Sequence, residues 1–311
     1  MPEPRSVVVT GASRGIGFAS AAHLYAQGWR VVGAMRSPDA GLERLRAATG
    51  ARAGDPRLLG VALDLQDTAS IAAAASAIEA AVGAPDVVVH NAGIAAFGAA
   101  EELPASVGES LFRTNLFGPM ALTKALLPAM RAARRGRIVV VSSQGGARGM
   151  PGISAYSASK GALERWAESL AQEVAPFGLG VTILVAGTFD TDILTEQTPD
   201  HGDYAGPYGA QYASIRRRGL LAVQSLAAPP DRFARALARS LEERAPFARH
   251  AVGLDAHLLL HASRFLPGRL LHHLIRMAMG LPRHGALAEE PRARSTAATE
   301  PEKPKCRSSM P

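Results

Sequence analysis

The strongest constraint on this chain is a run of eight residues near its start, Thr10-Gly11-Ala12-Ser13-Arg14-Gly15-Ile16-Gly17. The residues before it, 6–10, are apolar and β-branched, and those after it, 18–27, have helical spacing. The glycines therefore fall at a strand-to-helix turn. Glycine there lets the backbone approach a pyrophosphate, while the helix start offers unpaired N–H groups and the positive end of a dipole. Strand before and helix after is the setting in which such a turn predicts a dinucleotide site.

The rest of the chain follows the same rhythm. Short β-branched runs at 6–10, 30–35, 59–64, 86–90, 136–141, 181–185 and 250–253 alternate with longer alanine-rich stretches. Strands separated by crossover helices make a parallel sheet covered on both faces. The reading is an α/β chain with a three-layer Rossmann fold, a doubly wound seven-stranded parallel sheet in a single domain over 1–254. Glycines, prolines and tyrosines interrupt the rhythm at 191–224, a segment expected to cover the substrate, with Phe189, Ile193, Leu194, Tyr204, Tyr208 and Tyr212 as candidate contacts. An amphipathic helical extension is expected at 255–282, and a disordered basic tail at 283–311.

Composition excludes several classes. Of 311 residues 47% are hydrophobic, enough for a sizeable core, so a disordered chain is not expected. The single cysteine, Cys306, supplies neither a disulfide nor a cysteine-built metal site. No basic-then-apolar leader opens the sequence and no run of about 18 apolar residues interrupts it, so the expected location is the cytoplasm. Residues 211–311 hold 17 Lys and Arg against 8 Asp and Glu, yet no aromatic platform or zinc-finger spacing accompanies them. Nucleic acid is not an expected partner.

The second strand indicates which dinucleotide is bound. An acidic residue at its end would accept from the ribose 2′-OH of NAD and repel a 2′-phosphate, but here the order is Ala34-Met35-Arg36-Ser37. Arg36, with Arg14 from the glycine turn, can clamp a 2′-phosphate, so NADP(H) is the expected cofactor. Asp64, followed by Leu65, is placed to accept from the adenine amino group. Further along, Tyr156 and Lys160 are four residues apart and share a helix face, with Ser143 thirteen residues before the tyrosine at a strand end. A phenol titrates near ~10, and a nearby ammonium and an oxidised nicotinamide would both favour phenolate, making Tyr156 a usable acid and base.

Together these residues resemble the short-chain dehydrogenase/reductase family, from about residue 5 to 253. The glycine turn resembles that family's TGxxxGxG motif, and Asn91-Ala92-Gly93 its NAG motif. Asn115 sits like the family's helix-kinking asparagine of the proton relay, and Ser143, Tyr156 and Lys160 like the other tetrad members. The resemblance implies hydride transfer between nicotinamide and a carbonyl or secondary alcohol. In it Ser143 polarises the substrate oxygen, Tyr156 exchanges its proton, Lys160 binds the ribose and lowers the tyrosine pKa, and Asn115 holds a relay water. Gly187, Thr188 and Thr191 fall in the cofactor-binding segment after the sixth strand, where Ala186 replaces the usual proline. Gly145-Gly146 and the stretch 250–256 look more like the branch acting on steroids and retinoids, implying a lipophilic ketone, aldehyde or alcohol. A homodimer or homotetramer through the helices around 116–130 and 156–174 is also implied.

Ser157-Ala158-Ser159-Lys160 matches the S-x-x-K of acyl-serine enzymes, but their S-D-N and K-T-G partners are absent. A non-catalytic NADP-binding sensor or scaffold of the same fold is the alternative class, and an intact tetrad argues against it. His257 and His261, with His272 and His273 beyond, have no acidic or cysteine partner nearby, and no metal site is expected. The arginine-bearing apolar stretch 257–281 suits a helix over the cleft, a subunit interface or peripheral contact with an anionic membrane.

Overall fold

Val7, Val8 and Val9 in β1 (Ser6–Thr10) are completely buried, because a central parallel strand is covered by helices on both faces. This computed structural model describes residues 4–191 and 198–286. The chain through Leu281 packs as one unit, and a second begins at Pro282. β2 (Arg30–Met35), β3 (Leu58–Ala62), β4 (Val87–His90), β5 (Gly136–Ser143), β6 (Leu179–Ala186) and β7 (Phe247–Val252) complete one parallel sheet. The strand order is β3-β2-β1-β4-β5-β6-β7, which reverses between β1 and β4. This is the doubly wound arrangement expected from the sequence.

The helices are α1 (Gly15–Ala26), α2 (Pro38–Thr49), α3 (Thr68–Val82), α4 (Ala105–Phe112), α5 (Gly118–Ala133), α6 (Gln144–Ala147), α7 (Ser154–Val174), α8 (Gly209–Leu226), α9 (Pro230–Ser240), α10 (Leu254–Phe265) and α11 (Gly268–Ala278). Alternate strand residues serve two cores. Val8, Val32, Ile138, Val140 and Ile183 meet α3, α5 and α7, whereas Val7, Val9, Val31, Val139 and Leu184 meet α1, α2 and α9. Each face of the sheet thus has its own set of apolar partners.

Strand limits differ from the sequence reading where polar contacts intervene. The third strand ends at Ala62 rather than 64, since the Asp64 N–H bonds Ser70 Oγ at 2.9 Å and turns the chain toward α3. The seventh begins at Phe247 rather than 250; Phe-Ala-Arg carries little β-branched signal, and register with Val181 to Ile183 recruits it. The segment at 191–224 is less irregular than its composition suggested. Most of its described second half is the helix α8, anchored by Tyr212, which is buried against Phe97 at 5.4 Å between ring centres. Tyr212 is therefore a packing residue, held by the Ala99 N–H and by Glu102. Phe189 is also buried, packing edge-on against Phe233 of α9 in the core shared with α1 and α2, so it serves as a packing residue. Ile193, Leu194 and Cys306 lie outside the described residues.

His90, at the end of β4, is buried between Thr123 Oγ1 at 2.7 Å and the Trp166 ring. Burial pushes its pKa down to about 3, so the imidazole is neutral in the fold. Between that value and the ordinary ~6.5 the unfolded chain binds one more proton than the folded chain. This group therefore removes stability as pH falls through the window, by about 1.4 kcal/mol per pH unit. Urea-denaturation midpoints measured across it should fall less steeply for His90→Gln than for the wild type, and an unchanged slope would show that His90 does not couple protons to unfolding.

Candidate active site

The glycine turn is built around a polar clasp between the ends of β1 and β4. The Thr10 hydroxyl accepts from the N–H groups of Asn91 and Ala92, each at 3.0 Å, and donates to Val89 O. The Asn91 side chain donates to Thr10 O at 2.9 Å. Close approach explains Gly17, because a Cβ there would lie 2.2 Å from Asn91 Nδ2 and 2.4 Å from Gly11 O. Gly11 and Gly15 both have positive φ, and Arg14 caps α1 without a side-chain cap bond, so the first N–H groups of α1 face the turn. Ser13, Arg14, Gly15 and Ile16 are at its rim, Arg36 is exposed just past β2, and Thr191 packs beside Gly15. Asp64 lies partly buried just past β3, whereas the Leu65 side chain is in the core.

The catalytic candidates converge at the same sheet edge. Ser143 ends β5, and its Oγ accepts from Gly145 N at 3.2 Å. Tyr156 and Lys160 project from the first turns of α7 and are both buried. Burial raises the Tyr156 phenol above its ordinary value, and the Ser143 hydroxyl beside it acts the other way. The resemblance has Lys160, together with an oxidised nicotinamide, lower this pKa; in this chain by itself desolvation is the largest influence on the phenol. Lys160 is itself depressed, to about 8, by burial, which the Glu164 carboxylate opposes. Its Nζ donates to Val141 O at 2.9 Å.

Asn115 lies in a π-helical stretch, Arg113–Phe117, between α4 and α5. Its side chain accepts from Ile94 N and donates to Ile94 O, both at 2.9 Å, and donates to Ser159 Oγ at 3.0 Å. Both amide hydrogens are used, so the side chain fastens α7 to the loop after β4 and has no N–H left for a relay water. Gly93 lies against Asn115 Oδ1 and Lys160 Nζ, which brings the Asn91-Ala92-Gly93 segment to the tetrad.

Sequence reasoning missed two supporting networks. Behind Lys160, buried Glu164 accepts from Ser142 Oγ at 2.6 Å and from Arg249 on β7 at 2.6 and 3.1 Å. Its signal was present, since Glu164 occupies a core-facing position one turn from Lys160 on an otherwise apolar and small stripe. Asp255 opens α10 and accepts from Thr188 N and Thr188 Oγ1, both at 2.7 Å, and from Gln144 Nε2 at 3.2 Å. Its carboxylate occupies the space that a side chain at Gly187 would need. No group of His, Cys, Asp or Glu among the described residues could hold a metal ion.

Comparisons with known proteins agree with this geometry. A family model described as short chain dehydrogenase matches residues 5–202. A 3-ketodihydrosphingosine reductase of Bacteroides thetaiotaomicron is 30% identical over 281 residues, covering 88% of this chain and 98% of that one. Dehydrogenase/reductase SDR family member 7B of Xenopus tropicalis is 38% identical over 64% of this chain and 65% of its own. Among solved structures, a short-chain dehydrogenase from Streptomyces avermitilis is 35% identical with a TM-score of 0.75, over 91% of this chain and all of that one. A metagenomic short-chain oxidoreductase in complex with NADP is 28% identical with a TM-score of 0.60, over 79% and 96%.

The Glu164 carboxylate favours the charged form of Lys160, so its neutralisation should lower the lysine pKa further below about 8. Glu164→Gln preserves an acceptor for Ser142, and NMR titration of the Lys160 side chain in this variant is expected to show a midpoint at lower pH. An unmoved midpoint would dissociate the carboxylate from the ammonium.

Proposed function

The chain belongs to the short-chain dehydrogenase family and is an oxidoreductase of CH–OH donors, and on that premise we propose that it uses NADP(H) to interconvert a lipophilic ketone or aldehyde and the matching alcohol. The observation that carries this reading is the buried Tyr156 beside Ser143, walled by Ala95, Ala96 and Leu111. An apolar wall of this kind favours a steroid-, retinoid- or fatty-carbonyl-like substrate over a hydrophilic one. The relative named a 3-ketodihydrosphingosine reductase supports the same class.

The residues present fit a dinucleotide. Gly11 and Gly17 let the turn pack closely against Asn91 and Ala92, and the N–H groups opening α1 are left to meet the charge of a pyrophosphate. Arg36, with Arg14, meets a 2′-phosphate, and the second strand ends without an acid to oppose it. The solved NADP complex of a relative supports this choice. Asp64, with the backbone of Leu65, lines the adenine side, and Ala92, Gly93, Gly187, Thr188 and Thr191 line the nicotinamide side. When bound, the cofactor supplies or accepts the hydride. Ser143 donates a hydrogen bond to the substrate oxygen. Tyr156 delivers its proton to that oxygen during reduction and recovers it during oxidation. Lys160 holds the ribose and supplies positive charge near the phenol. Asn115 is a positioning residue, fixing α7 against Ile94.

Tyr156→Phe removes the proton donor while leaving the cleft shape, and should cut carbonyl turnover by about 10²–10⁴-fold with NADPH binding retained in a fluorescence titration. Arg36→Asp should weaken NADPH binding by about 10–100-fold while sparing NADH. A wild-type preference for NADH would overturn the cofactor assignment, and full turnover in Tyr156→Phe would overturn the mechanism.

A further inference from the structure

The helices that follow the carboxyl end of β7 face outward with the wrong chemistry for a surface bathed only in water. On α10, Leu254, Leu258 and Phe265 are 58%, 63% and 71% exposed. Spacings of four and seven residues put them on one side of the helix. On α11, Leu270, Leu274 and Met277 repeat the pattern at spacings of four and three, and are also exposed. Ala256, on the opposite side of α10, and Leu271, on the flank of the α11 stripe, are buried, which turns the two stripes outward.

Charge on this surface has one sign. From residue 256 to 281 the chain contains Arg264, Arg269 and Arg276 and no acidic residue at all. Arg264 and Arg269 are exposed and flank the apolar stripes. Two copies of such a face brought together about a twofold axis would oppose like charges, so self-association through it is disfavoured. An anionic bilayer offers the complement on both counts, with apolar depth below a layer of phosphates. The helices have 12 and 11 residues, about 18 Å at most, too short to cross the ~30 Å hydrocarbon layer but suited to lying in its interface. No helix among the described residues is long and apolar enough to span.

We propose that the outward face of α10 and α11 docks the protein on an anionic phospholipid surface, its apolar stripes entering the headgroup region and its arginines meeting lipid phosphates. The same helices are tied to the catalytic edge of the sheet. Asp255 bonds Gln144, the residue after Ser143, and Arg148 donates to Gly268 O at 3.2 Å. Docking therefore brings the cleft to the place where a lipophilic substrate dissolves; this consequence rests on the function proposed above, whereas the docking itself does not.

The test is flotation of the full-length protein with phosphatidylcholine vesicles, with and without phosphatidylglycerol, at low and high salt. Binding is expected only with the anionic lipid and should weaken with salt. Arg264→Gln combined with Arg269→Gln should weaken it by about 30-fold, the effect of removing two cations from an anionic surface. Leu258→Ser with Phe265→Ser should weaken it by at least about tenfold. Arg235→Gln with Arg239→Gln, an exposed pair on the outer face of α9, should leave it intact. Failure to float with anionic vesicles would overturn the proposal, as would equal loss in the α9 pair. Vesicle-independent dimers dissolved by Leu258→Ser with Phe265→Ser, seen by sedimentation velocity, would assign the face to a second copy instead. NADPH turnover with a water-soluble carbonyl, measured without vesicles, reads the proposed function separately.

Discussion

The fold and the site both depend on the clasp between Thr10 and Asn91. β1 and β4 are neighbours at the point where strand order reverses, and the helices that follow them diverge to opposite faces of the sheet. Divergence opens a crevice, and an open crevice leaves backbone donors and acceptors at the strand ends that must be satisfied. The threonine hydroxyl and asparagine amide do this without filling the crevice. Gly17 is required because the amide and the Gly11 carbonyl occupy the space of a side chain.

The proton chemistry depends on burial acting on two neighbouring groups in opposite senses. Desolvation disfavours phenolate at Tyr156 and ammonium at Lys160, raising the first pKa and lowering the second to about 8. Glu164 limits the loss of charge on Lys160 and is itself held by Arg249 and Ser142. A buried carboxylate of this kind costs desolvation, which the two hydrogen-bonded partners offset. Because Arg249 is on β7, the last strand contributes to the electrostatics of a helix whose functional residues lie nearly a hundred positions earlier.

Asp255 makes a second long-range connection. It pins the turn after β6 through Thr188 and the turn after β5 through Gln144. Both turns lie at the carboxyl ends of their strands, the edge where such a sheet opens its crevice, and Asp255 of α10 ties them together. The position of Ala186 in place of a proline is consistent with this division of labour. Gly187 N–H bonds Val252 O at 2.8 Å, so the sheet and Asp255 together fix the turn.

Much of the architecture was legible in the chain itself, because local rules govern it. Valine runs marked the strands, the glycine turn marked the crevice, and the four-residue spacing of Tyr156 and Lys160 put both on one helix face. Strand limits were less legible, since Asp64 leaves the sheet for Ser70 and Phe247 joins it through its neighbour rather than through propensity. The aromatic residues were misread for a similar reason. Phe189 and Tyr212 look like ligand contacts beside glycines and prolines, and only packing against Phe233 and Phe97 makes them core. The sequence by itself determined the periodicity, the turn chemistry and the residue types of the site. Tertiary structure alone decided the use of Asn115, Glu164, Arg249 and Asp255, because a hydrogen bond between residues up to 111 positions apart has no local signature and exists only once the sheet brings its ends together.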